Sequence, residues 1–253
     1  MEEAVASREI FGNIGGSGFI LYFLALIAII FFARGIFEWA CLWTAGKPHH
    51  QLGSWWRRIW AFIVTVVVDG LIHKRIFGAT RRYPRELYAG IMHFLIFWGC
   101  LILLLGAAMD FICHYIVAGI FHIEFLVGTV YLIDSLIVDI GGLLVLAGVI
   151  VAAVRRYIQK PERLDNTPDD IVTLSLVGGI VITGFLLEGF RIAGTSLIPH
   201  PDWAVWFSCK PSVANLLGGM SQSSLLAWHQ GIWWFHSLIA LGAIIYVSSS
   251  WSR

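Results

Sequence analysis

The chain has 253 residues, of which 58% are hydrophobic and only 13% are charged, and its formal net charge is +1. This composition excludes a soluble globular protein and is typical of an integral helical membrane protein. The basic residues are grouped in loops and form no continuous stripe, so nucleic acid is not an expected partner.

Five apolar runs are long enough to cross the hydrocarbon core of a bilayer as α-helices. They lie at roughly 17–43, 87–112, 127–156, 168–193 and 224–249. We therefore predict an all-α membrane bundle of five transmembrane helices that forms a single domain over residues 1–253. A shorter apolar run with basic residues on both sides predicts one interfacial helix over 55–76.

The distribution of Lys and Arg predicts the orientation of the bundle. The segments 44–86 and 155–163 are rich in both residues, whereas 113–126 has none and 194–223 has only Lys210. Because basic loops stay on the cytoplasmic side, we expect the N-terminus outside and the C-terminus in the cytoplasm. The first apolar run follows an acidic, glycine-containing stretch, so we expect a retained anchor rather than a cleaved signal peptide.

Three of the nine histidines lie within predicted spans: His93 early in the second, and His229 and His236 in the fifth. An ionisable side chain inside a bilayer is costly and is by default a candidate functional residue. The second and fifth helices run in opposite directions, so His93 and His236 can meet in the cytoplasmic half and bind one haem iron. A single histidine would be better explained by hydrogen bonding between helices, but three on these two helices favour haem.

His229 precedes His236 by seven residues, which places both on one helix face about 10.5 Å apart along the axis. A second haem at that distance would be crowded, and the second predicted helix has no other histidine at a matching depth. His229 is therefore a ligand of a second haem or, equally, a hydrogen-bond partner of a quinone or a haem propionate. Basic residues predicted on the cytoplasmic side to contact the propionates are Arg81, Arg82 and Arg85.

Intramembrane carboxylates form a second group of candidates. Asp134 and Asp139 lie in the third predicted span, and Glu188 lies in the fourth with Arg191 three residues later. Glu188 and Arg191 could act at a quinone site or in proton transfer. They could equally form a structural ion pair.

Cysteine spacing limits the chemistry that the chain can perform alone. The four cysteines lie far apart and form no Cys-x-x-Cys pair, so no iron–sulfur or zinc signature is present. An electron-transfer partner with iron–sulfur clusters is therefore expected to be another chain. The cysteines are Cys41, Cys100, Cys113 and Cys209.

Four motifs follow one another at Tyr88–Gly99, Pro161–Asn166, Thr183–Ala193 and Trp228–His236. Together they resemble the nitrate reductase gamma-subunit-like cytochrome b domain. The resemblance is closer to the version fused or partnered to heterodisulfide-reductase-like iron–sulfur domains in oxidoreductases of the electron-transfer flavoprotein:quinone type. It covers nearly the whole chain and implies a five-helix, multi-pass subunit of a prokaryotic cytoplasmic membrane.

The resemblance implies a haem b subunit that transfers electrons between a cytoplasmic iron–sulfur protein of heterodisulfide-reductase type and membrane quinone, such as menaquinone. An electron-transfer flavoprotein is an implied further partner. His93 and His236 occupy the positions that match ligands of the cytoplasm-proximal haem in the family. The position that would match a second histidine in the second helix, near Leu103, has none, so one haem is expected and two stay open.

Two other classes of function remain as alternatives. A non-haem membrane anchor or assembly subunit of a respiratory complex would use its histidines only for hydrogen bonds between helices. A small secondary transporter is disfavoured because the sequence has no internal repeat and no obviously broken helix at mid-membrane.

Overall fold

The computed structural model describes residues 12–46, 54–74, 87–161, 167–195, 216–217 and 219–250. Within these ranges the chain is almost entirely helical and has no β-strand. The predicted propionate contacts Arg81, Arg82 and Arg85 lie outside the described residues, as do parts of several loops.

Six helices of eight or more residues account for most of the described residues. They are α1 (Gly18–Thr44), α2 (Trp55–Val64), α3 (Leu87–Phe111), α4 (Gly128–Ala153), α5 (Pro168–Thr195) and α6 (Gln222–Ser250). All except α2 are long and apolar enough to cross a membrane. The chain is therefore an all-α, multi-pass membrane bundle, as the sequence predicts, and the predicted bounds agree with these five helices to within about three residues.

Two spans continue beyond their regular α-helical part. The turns Ile112–Ala118 and Gly119–Phe121 extend α3, and the wider turns Val154–Gln159 extend α4. The apolar sequence after α3 favours continued helix, which ends only where His122 adopts a left-handed conformation with φ 55°. The second span is therefore longer than the predicted range 87–112.

Helix α2 is too short to span and continues only through the wider turns Thr65–Leu71. His73 follows it with a left-handed φ of 57° and is only 2% exposed. Its ring packs on α3, where Trp98 also donates a hydrogen bond from Nε1 to the Leu71 carbonyl over 3.2 Å. The segment after α2 therefore packs on the N-terminal part of α3.

Helices α3 and α4 pack through glycines that bring their backbones into direct contact. A Cβ on Gly99 would lie 2.7 Å from the Gly141 carbonyl oxygen and 2.8 Å from the Val145 nitrogen. Only glycine permits this approach, which is a common way for membrane helices to associate.

The remaining spans pack in sequence around the bundle. Gly142 of α4 contacts Phe185 of α5, and Gly179 of α5 faces Ile239 of α6. Helix α1 packs on α6, where Gly35 lies against Ser248. Within the described ranges, α3 and α6 are not among the closely packed helix pairs.

We call the end of the bundle that carries Arg155, Arg156 and Lys160 the basic end. At this end Arg156 forms an ion pair with Asp170, which joins the end of the third span to the start of the fourth. The N-termini of α3 and α5 and the C-termini of α4 and α6 lie at the basic end, because consecutive spans run in opposite directions.

The contact between α3 and α4 predicts the effect of one added methyl group. Gly99→Ala should reduce the free energy of unfolding by about 1–3 kcal/mol, because backbone atoms of α4 must move to admit the Cβ. Gly231→Ala on α6 is the control, since a Cβ there would have no neighbour within 4 Å. Thermal unfolding in detergent micelles measures both variants, and equal midpoints would contradict this packing.

Candidate functional site

His236 lies near the middle of α6 and faces α5. Its Nδ1 is 2.9 Å from the hydroxyl oxygen of Thr183. The next residue of α5 is Gly184, where a Cβ would lie 3.5 Å from His236 Cε1. Two consecutive residues of α5 therefore contact one side of the imidazole, which is half-buried inside a membrane span.

The hydrogen-bond partners of Thr183 fix the direction of its hydroxyl. The oxygen lies 2.7 Å from the Gly179 carbonyl oxygen and 3.1 Å from that of Ile180. Two oxygens at 2.7 Å require a hydrogen between them, and a carbonyl can only accept. Thr183 therefore donates to Gly179 and accepts from His236.

His236 must consequently carry its proton on Nδ1. In the neutral ring Nε2 then holds a lone pair. The arrangement leaves Nε2 able to bind a metal or to accept a hydrogen bond.

His93 lies in a different environment, near the N-terminus of α3. Its ring centroid is 5.1 Å from that of His73, with 62° between the ring planes. His93 itself is exposed. His73 Nδ1 lies 3.0 Å from the Leu71 carbonyl. Sequence reasoning did not find this pair, because the contact depends on the path of the chain after α2.

Close contacts define a common level through four helices of the bundle. This level passes within about one residue of Ile96 in α3, Gly148 in α4, Gly178 in α5 and Ile239 in α6. His93 lies three residues from it toward the basic end, and His236 lies three residues from it toward the opposite end. At 1.5 Å per residue the two positions differ by about 9 Å along the bundle.

The directions of the side chains add to this separation. A helical side chain leans toward the N-terminus of its own helix. Because α3 and α6 are antiparallel, His93 leans toward the basic end and His236 leans away from it. The structure does not bring these two predicted ligands together at one level.

His229 belongs to a buried polar cluster at the opposite end of the bundle. Arg191 donates from Nε to Glu188 over 2.8 Å and from Nη2 to the other carboxylate oxygen over 2.5 Å. Its Nη2 also lies 2.9 Å from the Tyr131 hydroxyl. His229 is near enough to interact electrostatically with both charged groups. The cluster thereby joins α4, α5 and α6.

This polar cluster is shielded from the surroundings of the bundle. Arg191 is 9% exposed and His229 is 5% exposed. The neighbouring residues Phe190 and Trp228 stack on each other, with their ring centroids 6.2 Å apart. Sequence reasoning identified the pair of Glu188 and Arg191 from its spacing. It missed Tyr131, since a tyrosine near the end of a span is also typical of an interfacial anchor.

The other predicted intramembrane carboxylates, Asp134 and Asp139, lie in α4. Asp139 is 2% exposed, and Asp134 and Asp110 lie near the buried Cys113. Within the described ranges, no group of three or more His, Cys, Asp or Glu side chains has the geometry to hold a metal ion. Imidazole ligation of haem iron needs no such group, because the macrocycle supplies the other ligands.

The chain is similar to two bacterial oxidoreductases. It is 32% identical over 228 residues to an EtfAB:quinone oxidoreductase of Syntrophomonas wolfei, which is 87% of this chain and 30% of that protein. It is 28% identical over 176 residues to a probable iron–sulfur-binding oxidoreductase, FadF, of Bacillus subtilis, which is 69% of this chain and 24% of that protein. The chain spans less than a third of the length of either relative. No family model matches it, and no solved structure is significantly similar.

The names of these relatives agree with one part of the resemblance found in the sequence. They describe oxidoreductases connected with Etf, quinone and iron–sulfur chemistry. Neither name describes a nitrate reductase or a cytochrome b. The finer assignment to a cytochrome b domain therefore stays a prediction.

The buried cluster predicts a large and asymmetric response to substitution. Glu188→Leu should cost about 3–5 kcal/mol of unfolding free energy, because Arg191 is left buried without its counter-charge. Removing both charges in Glu188→Leu/Arg191→Leu should recover most of that loss. Tyr131→Phe, which removes one hydrogen bond, should cost about 1 kcal/mol. Unfolding in mixed detergent micelles measures all three, and a double variant less stable than Glu188→Leu would contradict the ion pair.

Proposed function

We propose that the chain is the membrane module of an oxidoreductase that transfers electrons between a membrane quinone and a redox partner at the basic end. Similarity over 87% of the chain to an EtfAB:quinone oxidoreductase supports this proposal. By the positive-inside rule the basic end faces the cytoplasm. The partner would be an iron–sulfur protein or an electron-transfer flavoprotein, because the name of one relative mentions EtfAB and that of the other mentions iron–sulfur binding. The heterodisulfide-reductase type of that iron–sulfur protein is implied by the sequence resemblance.

Electron transfer through the membrane needs a redox group, and a b haem is the group that this chain fits best. The observation that carries this choice is the lone pair that Thr183 leaves on His236 Nε2. A bound haem would supply one-electron transfer. The chain's own residues would bind and orient it, with His236 as the ligand prepared by its hydrogen bonds.

His93 is proposed as the second histidine that would hold the haem, but its position makes this a separate question. The roughly 9 Å difference along the axis means that His93 joins His236 only if haem binding repacks α3 relative to α6. The variants below therefore test the two histidines separately.

Haem spectra of purified protein test both ligands. After full haem loading, the wild type should show a reduced alpha band, and His236→Ala should lose the bound haem. His93→Ala should retain haem but change it from low spin to high spin, because one of the two proposed histidine ligands would be missing. His114→Ala, an exposed position beyond α3, should behave as wild type.

Two results would contradict these assignments. An unchanged spectrum in His93→Ala would remove His93 from the ligand set. A stable, colourless wild-type protein that still recruits its partner would contradict the haem proposal as a whole. It would favour the alternative of a non-haem membrane anchor or assembly subunit, in which His236 serves only to join α5 and α6.

The cluster around His229 is the proposed site for the quinone headgroup and its protons. Quinone oxygens accept hydrogen bonds, and Arg191, Tyr131 and His229 are potential donors. Quinone reduction also consumes protons, which Glu188 and His229 can exchange. Tyr131, Arg191 and His229 are buried within membrane spans, where an ionisable group is rarely kept without a function.

The reaction with quinol tests this site. His229→Leu should reduce haem reduction by a short-chain menaquinol at least about tenfold, because quinol oxidation releases protons and the imidazole that would bind the hydroxyl and accept its proton is lost. Reduction by dithionite, which needs no quinone site, is the control and should not change. Haem content should also stay constant. An unchanged quinol rate would contradict the site, and a halved haem content would instead make His229 a ligand of a second haem.

A further inference from the structure

We propose that Thr183 is a positioning residue that sets the tautomer and the ring direction of His236. The proposal is that one hydroxyl, not the helix packing alone, makes Nε2 the reactive nitrogen of this histidine. The tautomer follows from the hydrogen bonds and is independent of what binds. The identity of the bound group, haem iron, rests on the proposed function.

The hydroxyl belongs to a short chain of hydrogen bonds with one direction. His236 Nδ1 donates to Thr183 Oγ1 over 2.9 Å, and Thr183 donates to the Gly179 carbonyl over 2.7 Å. The last acceptor is a backbone carbonyl, which cannot donate. Reversing the chain would leave two oxygens at 2.7 Å without a hydrogen between them.

The surroundings of the hydroxyl also favour this direction. The Ile180 carbonyl oxygen lies 3.1 Å from Thr183 Oγ1. Both backbone neighbours are thus acceptors, and water is scarce inside a membrane span. A proton on Nε2 instead of Nδ1 would place a lone pair opposite these oxygens.

Gly184 allows α5 to lie close to the ring of His236 and takes no part in the hydrogen bonds. A Cβ at this position would lie 3.5 Å from His236 Cε1, an ordinary van der Waals distance. The helix therefore lies close along one edge of the ring, while the hydroxyl holds Nδ1. With Nδ1 held on α5, the direction of Nε2 is fixed relative to that helix.

A hydrogen bond to the far nitrogen of a ligating histidine usually matters almost as much as the ligand itself. Loss of such a partner typically weakens metal binding or activity by about 10–100-fold. Thr183→Val keeps the branched shape of the side chain but removes the hydroxyl. Thr183→Ser keeps the hydroxyl and removes only a methyl group, so it is the matched control.

The direct test uses the full chain in detergent micelles with ¹⁵N-labelled histidine. The signals of His236 are assigned by their loss in His236→Gln. In the wild type and in Thr183→Ser, Nδ1 should be protonated and Nε2 should not. Thr183→Val should show both tautomers. Haem titration of the same samples should show affinity about 10–100-fold lower for Thr183→Val and near wild type for Thr183→Ser.

Each outcome bears on the proposal in one direction. A proton on Nε2 in the wild type would overturn it, and this measurement suffices even if Thr183→Val fails to fold. A Thr183→Val protein with unchanged tautomer and unchanged haem affinity would also overturn it. In a third outcome, the wild type has the expected tautomer, Thr183→Val has an altered one, and neither protein binds haem. This outcome would support the positioning role of Thr183 and refute the proposed haem.

Discussion

The hydrogen bond from His236 to Thr183 is the interaction on which the account of this molecule depends. Inside a bilayer no water is available to satisfy an imidazole, so its protonated nitrogen needs a partner within the protein. The hydroxyl of Thr183 supplies that partner and donates its own hydrogen bond to the Gly179 carbonyl. These contacts favour one tautomer of His236, which is a stronger basis for function than its position in the sequence.

The helix packing around this hydrogen bond keeps α5 and α6 in register. Toward the basic end, Gly179 meets Ile239, and toward the opposite end Phe190 stacks on Trp228. Beyond that stack, the ion pair of Arg191 and Glu188 extends through Tyr131 to α4. A displacement of α5 along its axis would disturb all of these contacts together. The polar cluster therefore also supports the geometry at His236.

Four of the histidines occupy three levels of the bundle. His73 and His93 pair near the basic end, His236 lies in the middle, and His229 lies among charged residues at the opposite end. Electrons would enter or leave at the basic end, and protons would be exchanged with quinone near His229.

The sequence predicts the five spans closely, because the hydrophobicity of a membrane helix is a local property. It also identifies Glu188 and Arg191, since a spacing of three places them together on any helix. Thr183, Tyr131 and His73 could not be found in the same way. Their roles depend on contacts between helices, and nothing in the sequence specifies which face of α5 meets α6 or where the chain turns after α2.

The relative depth of His93 and His236 in the bundle is a second property that the sequence does not specify. Antiparallel direction can be predicted from the order of the spans, whereas relative depth depends on where each helix enters the bilayer and how its glycines engage the next helix. The contacts of Gly148 and Gly178 determine that depth. A prediction of the ends of a helix that is accurate to three residues already leaves an uncertainty of about 4.5 Å at each ligand.

The central claim, a quinone-linked redox group inside this chain, is tested most directly by redox spectroscopy in proteoliposomes. The protein is reduced with a limiting amount of dithionite, and a menaquinone analogue is then added while the haem spectrum is recorded. The reduced alpha band is expected to disappear on addition of quinone. A band that persists with quinone, yet disappears with a soluble oxidant such as ferricyanide, would contradict a quinone-linked redox group in this chain.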